Sequence, residues 1–210
     1  MLGWLTGLPR LALGAFGPAI FLAGLGVAAV ALRLDARLRA AALLVATNLL
    51  LLWLTGLAND TLASVGLHLY LGGLLVVFAA LRLDPAPGFA ATAATALAYD
   101  ATTAAPFGLS LVLFGLVHAT ILVGRHGFPR NEPVFTTVAT LSLNLFLFIA
   151  FSFVLVGANP RPGEAWLRLF VDLLASQITL ALVTPWFFAL QDRAFSLARL
   201  DPATGRPQVG

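Results

Sequence analysis

Long apolar stretches alternate with short polar breaks along the whole chain. Seven stretches approach the roughly 20 residues that a helix needs to cross about 30 Å of hydrocarbon. They cover residues 11–32, 40–57, 64–81, 88–104, 107–124, 134–157 and 166–190. The breaks are too short to bury a core of their own. The pattern predicts a single integral membrane domain over residues 1–210, which is an all-α, polytopic transmembrane helical bundle of about seven spans.

Composition agrees with a membrane domain and excludes several kinds of chemistry. Hydrophobic residues make up 60% of the chain and charged residues 10%, whereas soluble domains carry about 25% charged residues. The absence of cysteine excludes disulfides, thiolate nucleophiles and cysteine-ligated metal centres. The net charge of +3 is spread over short loops and forms no basic groove, so we expect the lipid bilayer and no nucleic acid as a partner.

Arginine supplies every basic side chain, and its distribution predicts the orientation of the chain. In a seven-span arrangement one side receives nine arginines: Arg33, Arg37, Arg39, Arg82, Arg125, Arg130, Arg193, Arg199 and Arg206. The other side receives Arg10 and Arg161, with Arg168 just inside the last span. Arginine-rich loops stay in the cytoplasm. The N-terminus is therefore expected outside and the C-terminus in the cytoplasm.

Ionisable residues inside the spans are costly and are candidates for function. Asp60, His68, Asp100 and Asp172 fall in the outer third of the predicted bundle, and Arg168 lies one turn before Asp172, where the two can pair. One interpretation makes this group a proton or metal site. The interpretation that we favour is interfacial side chains that reach water or hydrogen-bond locally.

The spans contain no recognisable catalytic or metal-binding constellation. His68 and His118 lie in opposite halves of the predicted bilayer, so they cannot share a metal. Ser110 and His118 are separated by about 12 Å along one helix, and Ser110 lacks the G-x-S-x-G pattern. There is no phosphate-binding loop and no dinucleotide fingerprint. We therefore expect no enzyme, no catalytic residue, no cofactor and no metal.

Polar and small residues mark faces on which helices can pack. A polar stripe on one face of the sixth span consists of Thr137, Thr140, Asn144 and Ser152. We favour interhelical hydrogen bonding for this stripe, and the alternative is the lining of a substrate cavity. In the fifth span, Gly108 and Gly115 allow close helix contact, either within the bundle or with a partner helix.

One junction resembles a known family. The run Asp100-Ala-Thr-Thr-Ala-Ala-Pro106-Phe-Gly108-Leu109 resembles the segment of the rod shape-determining protein MreD family in which an aspartate closes one span and Pro-x-Gly-Leu opens the next. Residues 67–82 are similar to that family's preceding span, and residues 177–193 to its last helix. The resemblance covers about residues 40–195 and six family-like spans, to which the segment 11–32 is an addition.

The resemblance implies a non-enzymatic subunit of the bacterial cell-elongation machinery in the inner (cytoplasmic) membrane. Its implied partners are the bitopic protein MreC, a cell-wall transpeptidase and glycosyltransferase, and the actin-like filament protein. Asp100, Pro106 and Gly108 carry over as the matching junction, which either contacts a partner or, as we favour, is a capped helix end followed by a proline-initiated helix.

The same resemblance implies an alternative function. The MreD fold is similar to that of the substrate-binding subunits of energy-coupling-factor vitamin transporters. In that case the outer-third group and the stripe containing Asn144 would form the vitamin pocket.

Overall fold

The computed structural model describes residues 36–103, 105–127, 132–157 and 162–200, together with Leu22 and Gly26. Within these ranges the chain is helical and contains no strand, which confirms the predicted all-α class. The described α-helices are α1 (Ala36–Leu62), α2 (Gly72–Arg82), α3 (Pro85–Thr102), α4 (Leu109–Gly124), α5 (Pro133–Gly157) and α6 (Pro162–Leu197). The predicted first span, 11–32, lies outside the described residues except for Leu22 and Gly26.

Three of the described helices are long and apolar enough to cross a membrane. These segments are Arg37–Val65, Pro133–Val154 and Ala165–Leu197. Shorter apolar helices are Gly72–Arg82 and Leu109–Gly124. The fold is therefore that of a helical membrane protein.

Prolines mark where three of the helices begin. Pro85, Pro133 and Pro162 are the first residues of α3, α5 and α6. Proline suits this position because its fixed φ is already helical and the first N–H groups of a helix have no partner within it. These starts lie within four residues of the predicted span starts, since a polar break precedes each proline.

Helix α2 is the central element of the bundle. Ten of its eleven residues are buried, and it packs against α3, α4, α5 and α6. Its core contacts include Phe78, whose ring centroid lies 5.3 Å from that of Phe188 and 5.8 Å from that of Phe195. An eleven-residue helix is only about 16 Å long, so α2 alone is too short to cross the hydrocarbon layer.

The predicted third span, 64–81, is divided in the structure. It begins with a 3-10 turn, Ala63–Val65, which ends at Gly66 in the left-handed conformation with φ 74°. Residues 67–71 have no regular secondary structure, and the helix starts only at Gly72. We call residues 67–71 the broken segment. Side chains from other helices accept the backbone N–H groups of this segment and so stabilise its non-helical conformation.

Candidate functional site

Side chains of α1 and α6 take up the backbone N–H groups of the broken segment. His68 N–H donates to Asp172 Oδ1 at 2.9 Å, Leu69 N–H to Asn59 Oδ1 at 2.7 Å, and Tyr70 N–H to Ser176 Oγ at 2.9 Å. Asn59 Nδ2 also donates back to the carbonyl of Leu69 at 3.0 Å. Non-helical backbone at membrane depth is tolerated only where protein groups satisfy it in this way.

Asn144 fastens the start of α2 to α5. Its Oδ1 accepts a hydrogen bond from Gly73 N–H at 2.9 Å, and its Nδ2 donates to the carbonyl of Tyr70 at 3.2 Å. Asn144 is fully buried, as is Thr140, whereas Thr137 is partly buried and its hydroxyl donates to Pro133 O. Most of the predicted polar stripe thus faces other helices, with Asn144 bonding directly across to α2.

The predicted outer-third group does not converge on one point. Asp172 is buried and accepts the backbone bond from His68. Among the described residues, no ion pair within 4.0 Å joins it to Arg168. Asp100 is engaged elsewhere, and only Asp60 and His68 line a common cavity. Asp100 and Asp172 therefore hold backbone in place, and no three His, Cys, Asp or Glu side chains gather as a metal site within the described ranges.

Asp100 locks the junction between α3 and α4. Its carboxylate is buried and accepts two backbone hydrogen bonds, from Gly108 N–H at 2.8 Å and from Ser110 N–H at 3.0 Å. Acceptance of N–H groups at a helix start stabilises that helix. Gly108 has φ 94°, which a residue with a side chain rarely adopts. Pro106 supplies the turn, and its carbonyl accepts Leu109 N–H at 3.1 Å.

Gly115 and His118 lie on the side of α4 that meets α3. A Cβ on Gly115 would find its nearest neighbour, Phe89 Cε2, at 3.7 Å, which is ordinary contact. His118 is fully buried, and its Nδ1 lies 2.8 Å from Thr92 Oγ1. His118 is therefore part of the α3–α4 interface, and Ser110 is held through its backbone by Asp100.

Arginines at the other end of the bundle hold the end of α2. Arg125 donates to the carbonyl of Leu83 at 2.9 Å, and Arg82 lies 3.5 Å from Asp192 of α6. Arginine side chains commonly satisfy the last carbonyls of a helix. Sequence reasoning treated these arginines only as signals of orientation.

Sequence reasoning also missed two asparagines of α1. Asn48 is fully buried and its Nδ2 donates to the carbonyl of Leu75 at 3.0 Å and to Thr95 Oγ1 at 3.1 Å. Asn59 holds the broken segment. The available signal was the presence of these amides in an apolar helix, since a polar group in such a helix needs a partner.

A cavity of about 110 Å³ adjoins the start of α2. Its walls come from the second half of α1, the broken segment with the first turn of α2, and the end of α3. Its aromatic and polar lining includes Trp53, Asn59, Asp60, His68, Tyr70 and Tyr99. The rest of the lining is mainly leucine. This is a small, largely apolar cavity with polar groups at one end.

The fold and this site define a helical membrane protein that is built around the short helix α2 and the broken segment that precedes it. No family model, no curated protein and no solved structure matches this chain. Its function is therefore inferred from its own residues and their geometry.

Proposed function

We propose that the protein is a non-enzymatic scaffold subunit of the bacterial cell-elongation machinery. It would reside in the inner membrane with about seven spans and a cytoplasmic C-terminus. It would bind an MreC-like bitopic protein and help to organise a cell-wall transpeptidase and glycosyltransferase with the actin-like filament. The observation that carries this proposal is the junction at Asp100, because the residues that resemble the MreD family act together as one structural unit.

The two ends of the bundle support the proposed orientation. Arg82 and Arg125 meet at one end, together with Asp192 near the end of α6. The Asp100 junction and the cavity lie at the opposite end. The positive-inside rule assigns the first end to the cytoplasm.

An exposed face of small residues on α3 offers a place for a partner helix. This alanine face consists of Ala86, Ala90, Ala94 and Ala101, which are all exposed and share one side of α3 with the exposed Leu97. Small side chains let two transmembrane helices approach closely, and van der Waals packing then holds them together. A bitopic partner contributes one such helix. The alanine face is therefore where we place the partner.

The substitution Ala94→Leu tests this placement. A leucine at this exposed position leaves the buried contacts of the bundle intact but holds an incoming helix away. We expect at least a tenfold loss of the MreC-like protein that co-purifies with the tagged full-length chain in mild detergent.

Ala181→Leu is the matched control, because Ala181 is exposed on α6, away from the alanine face. It should co-purify its partner as the unmodified chain does, and both variants should unfold at unchanged temperature. Normal partner recovery with Ala94→Leu would exclude the alanine face as the docking surface.

A second candidate function is the substrate-binding subunit of an energy-coupling-factor-type vitamin transporter. The cavity beside a broken helix favours it, since transporters place substrates at helices interrupted in this way. The cavity volume of about 110 Å³ counts against it, because sites for molecules of vitamin size enclose roughly 300–1,000 Å³. The scaffold function therefore remains the better supported of the two.

A further inference from the structure

The helices on the two sides of α2 differ in length. Helix α3 packs with α4, α5 packs with α6, and α2 lies between these two pairs. Helix α4 has 16 residues and is about 24 Å long, whereas α5 has 25 residues and is about 37 Å long. In α3, Asp84 and Asp100 bound an uncharged stretch that is also about 24 Å long. The α3–α4 pair is therefore shorter than the hydrocarbon layer of about 30 Å, and the α5–α6 pair is longer.

Contacts between the helices show at which end of the bundle the α3–α4 pair is short. Asn48 of α1 donates hydrogen bonds to Thr95 of α3 and to the carbonyl of Leu75 of α2, so these three residues lie at one level. Beyond this level α3 continues for about 10 Å to its last residue, whereas α1 continues for about 21 Å. Helix α5 likewise runs about 20 Å beyond Asn144, which bonds to Gly73. The α3–α4 pair thus stops about 10 Å short of α1 at the junction end, by which we mean the end of the bundle that carries Asp100.

Neither end of the α3–α4 pair is suited to the hydrocarbon layer. The arginine end, where Arg82 and Arg125 lie, carries charged groups that are costly at membrane depth. At the junction end, residues 105–108 are not helical, and Pro106 and Phe107 are exposed. Lipid-exposed backbone without helical hydrogen bonds does not occur within the hydrocarbon region. Both ends therefore belong at the level of the lipid headgroups, and a tilt of the helices only brings these two levels closer together.

The surface between the two ends is covered by lipid. The exposed side chains of α4 are mainly apolar and include Val112, Leu116 and Val123. Acyl chains are as apolar as these side chains and solvate them well. A bilayer that meets an apolar face shorter than its own hydrocarbon layer adapts by becoming thinner beside that face.

We propose that the α3–α4 side of this protein thins the bilayer beside it by about 6 Å, mainly in the leaflet at the junction end. Short or disordered acyl chains fill that leaflet next to α4. The longer α5–α6 side reaches the ordinary thickness of the bilayer by tilting. The proposal does not depend on the scaffold function, because it uses only helix lengths and is tested on the purified protein without a partner.

The test measures the depth of single spin labels in the full-length protein, in nanodiscs that each hold one copy. The chain has no cysteine, so one introduced cysteine gives one labelled position. Phe107→Cys labels the junction end and Val123→Cys the arginine end, and both side chains are exposed, so neither change disturbs the core. Electron paramagnetic resonance, with oxygen and a nickel chelate as collision partners, reports the depth. In dioleoyl phosphatidylcholine we expect both labels at headgroup level.

A matched control and a series of lipids make the test decisive. Val112→Cys, which is exposed on the same helix between the two positions, should report hydrocarbon in every lipid. We expect the labels at 107 and 123 to stay at headgroup level in dimyristoleoyl, dioleoyl and dierucoyl phosphatidylcholine, because the bilayer adapts to the helix. In a bilayer of unchanged thickness, one of these two labels would lie about 6 Å inside the hydrocarbon of the dioleoyl lipid. It would lie deeper still in the dierucoyl lipid, and this result would overturn the proposal.

Discussion

At the scale of single residues, buried carboxylates and amides in this protein bind backbone groups. Asp100 accepts the N–H groups of Gly108 and Ser110 at the start of α4. Asp172 accepts an N–H of the broken segment, and Asn144 bonds to both an N–H and a carbonyl. Polar groups that satisfy backbone in a water-free interior repay the cost of their own burial. Each of them is therefore a determinant of the fold.

Asp100→Ala should destabilise the protein by about 2 kcal/mol, since it removes a cap and leaves the N–H groups of Gly108 and Ser110 without an acceptor. The measurement is unfolding of the detergent-solubilised protein, followed by circular dichroism. Asp60→Ala is the control, because Asp60 is exposed and such substitutions stay within about 0.5 kcal/mol. Equal free energies of unfolding for the two variants would show that Asp100 does not stabilise the junction between α3 and α4.

Sequence reasoning identified some of these residues and overlooked others. Asp100 and Asn144 were recognisable because a charge or amide inside an apolar run is rare. Tyr70 was not, since an aromatic residue in such a run has no distinguishing signal. Tyr70 lies against Gly72, and its N–H donates to Ser176, 106 positions further along the chain. A contact over that distance cannot be deduced from one sequence.

At the scale of elements, the helix ends were predictable and the interruption was not. Pro85, Pro133 and Pro162 fix helix starts through their own backbone geometry, so local sequence sufficed there. The broken segment is apolar, and hydropathy alone extends it into a single span. Gly66 and the pair Gly72–Gly73 were local signs of a break. The break itself is stabilised by Asn59, Asp172 and Asn144, whose positions only the tertiary fold reveals.

Asn144→Leu should loosen the start of α2. The substitution leaves Gly73 N–H and the Tyr70 carbonyl without their partners, so we expect amide hydrogen exchange across the broken segment and the first turn of α2 to accelerate about tenfold or more. Hydrogen exchange with mass spectrometry measures this. Thr137→Val on the same helix is the control, because Thr137 is only partly buried and its hydroxyl donates within α5, to the carbonyl of Pro133. An unchanged exchange rate in Asn144→Leu would show that other contacts hold the segment.

At the scale of the whole molecule, the bundle surrounds α2 and clamps it at both ends. Asn144 and Ser176 fix the beginning, and Arg125 fixes the end through the Leu83 carbonyl. The longer α1, α5 and α6 provide membrane-spanning length. A rigid core of this kind leaves the outer helix faces, including the alanine face of α3, free to meet lipid or a partner.

The fold class could be predicted from general rules, whereas the arrangement of the helices could not. Apolar length and the absence of large loops indicate a helical membrane bundle without any knowledge of contacts. The central position of α2 is defined by the helices that it contacts. Hydropathy cannot reveal it, because a buried helix and a lipid-facing helix have nearly the same hydropathy. The cavity depends on this arrangement and so could not be located from sequence.

The most direct test of the scaffold function is affinity purification of the tagged full-length protein from bacterial membranes in mild detergent, with every co-purified protein identified. We predict recovery of an MreC-like bitopic protein together with a cell-wall transpeptidase, and loss of both in the Ala94→Leu variant. Recovery of paired ATPases with a second transmembrane subunit, and no MreC-like protein, would contradict the account and make the protein a transporter subunit.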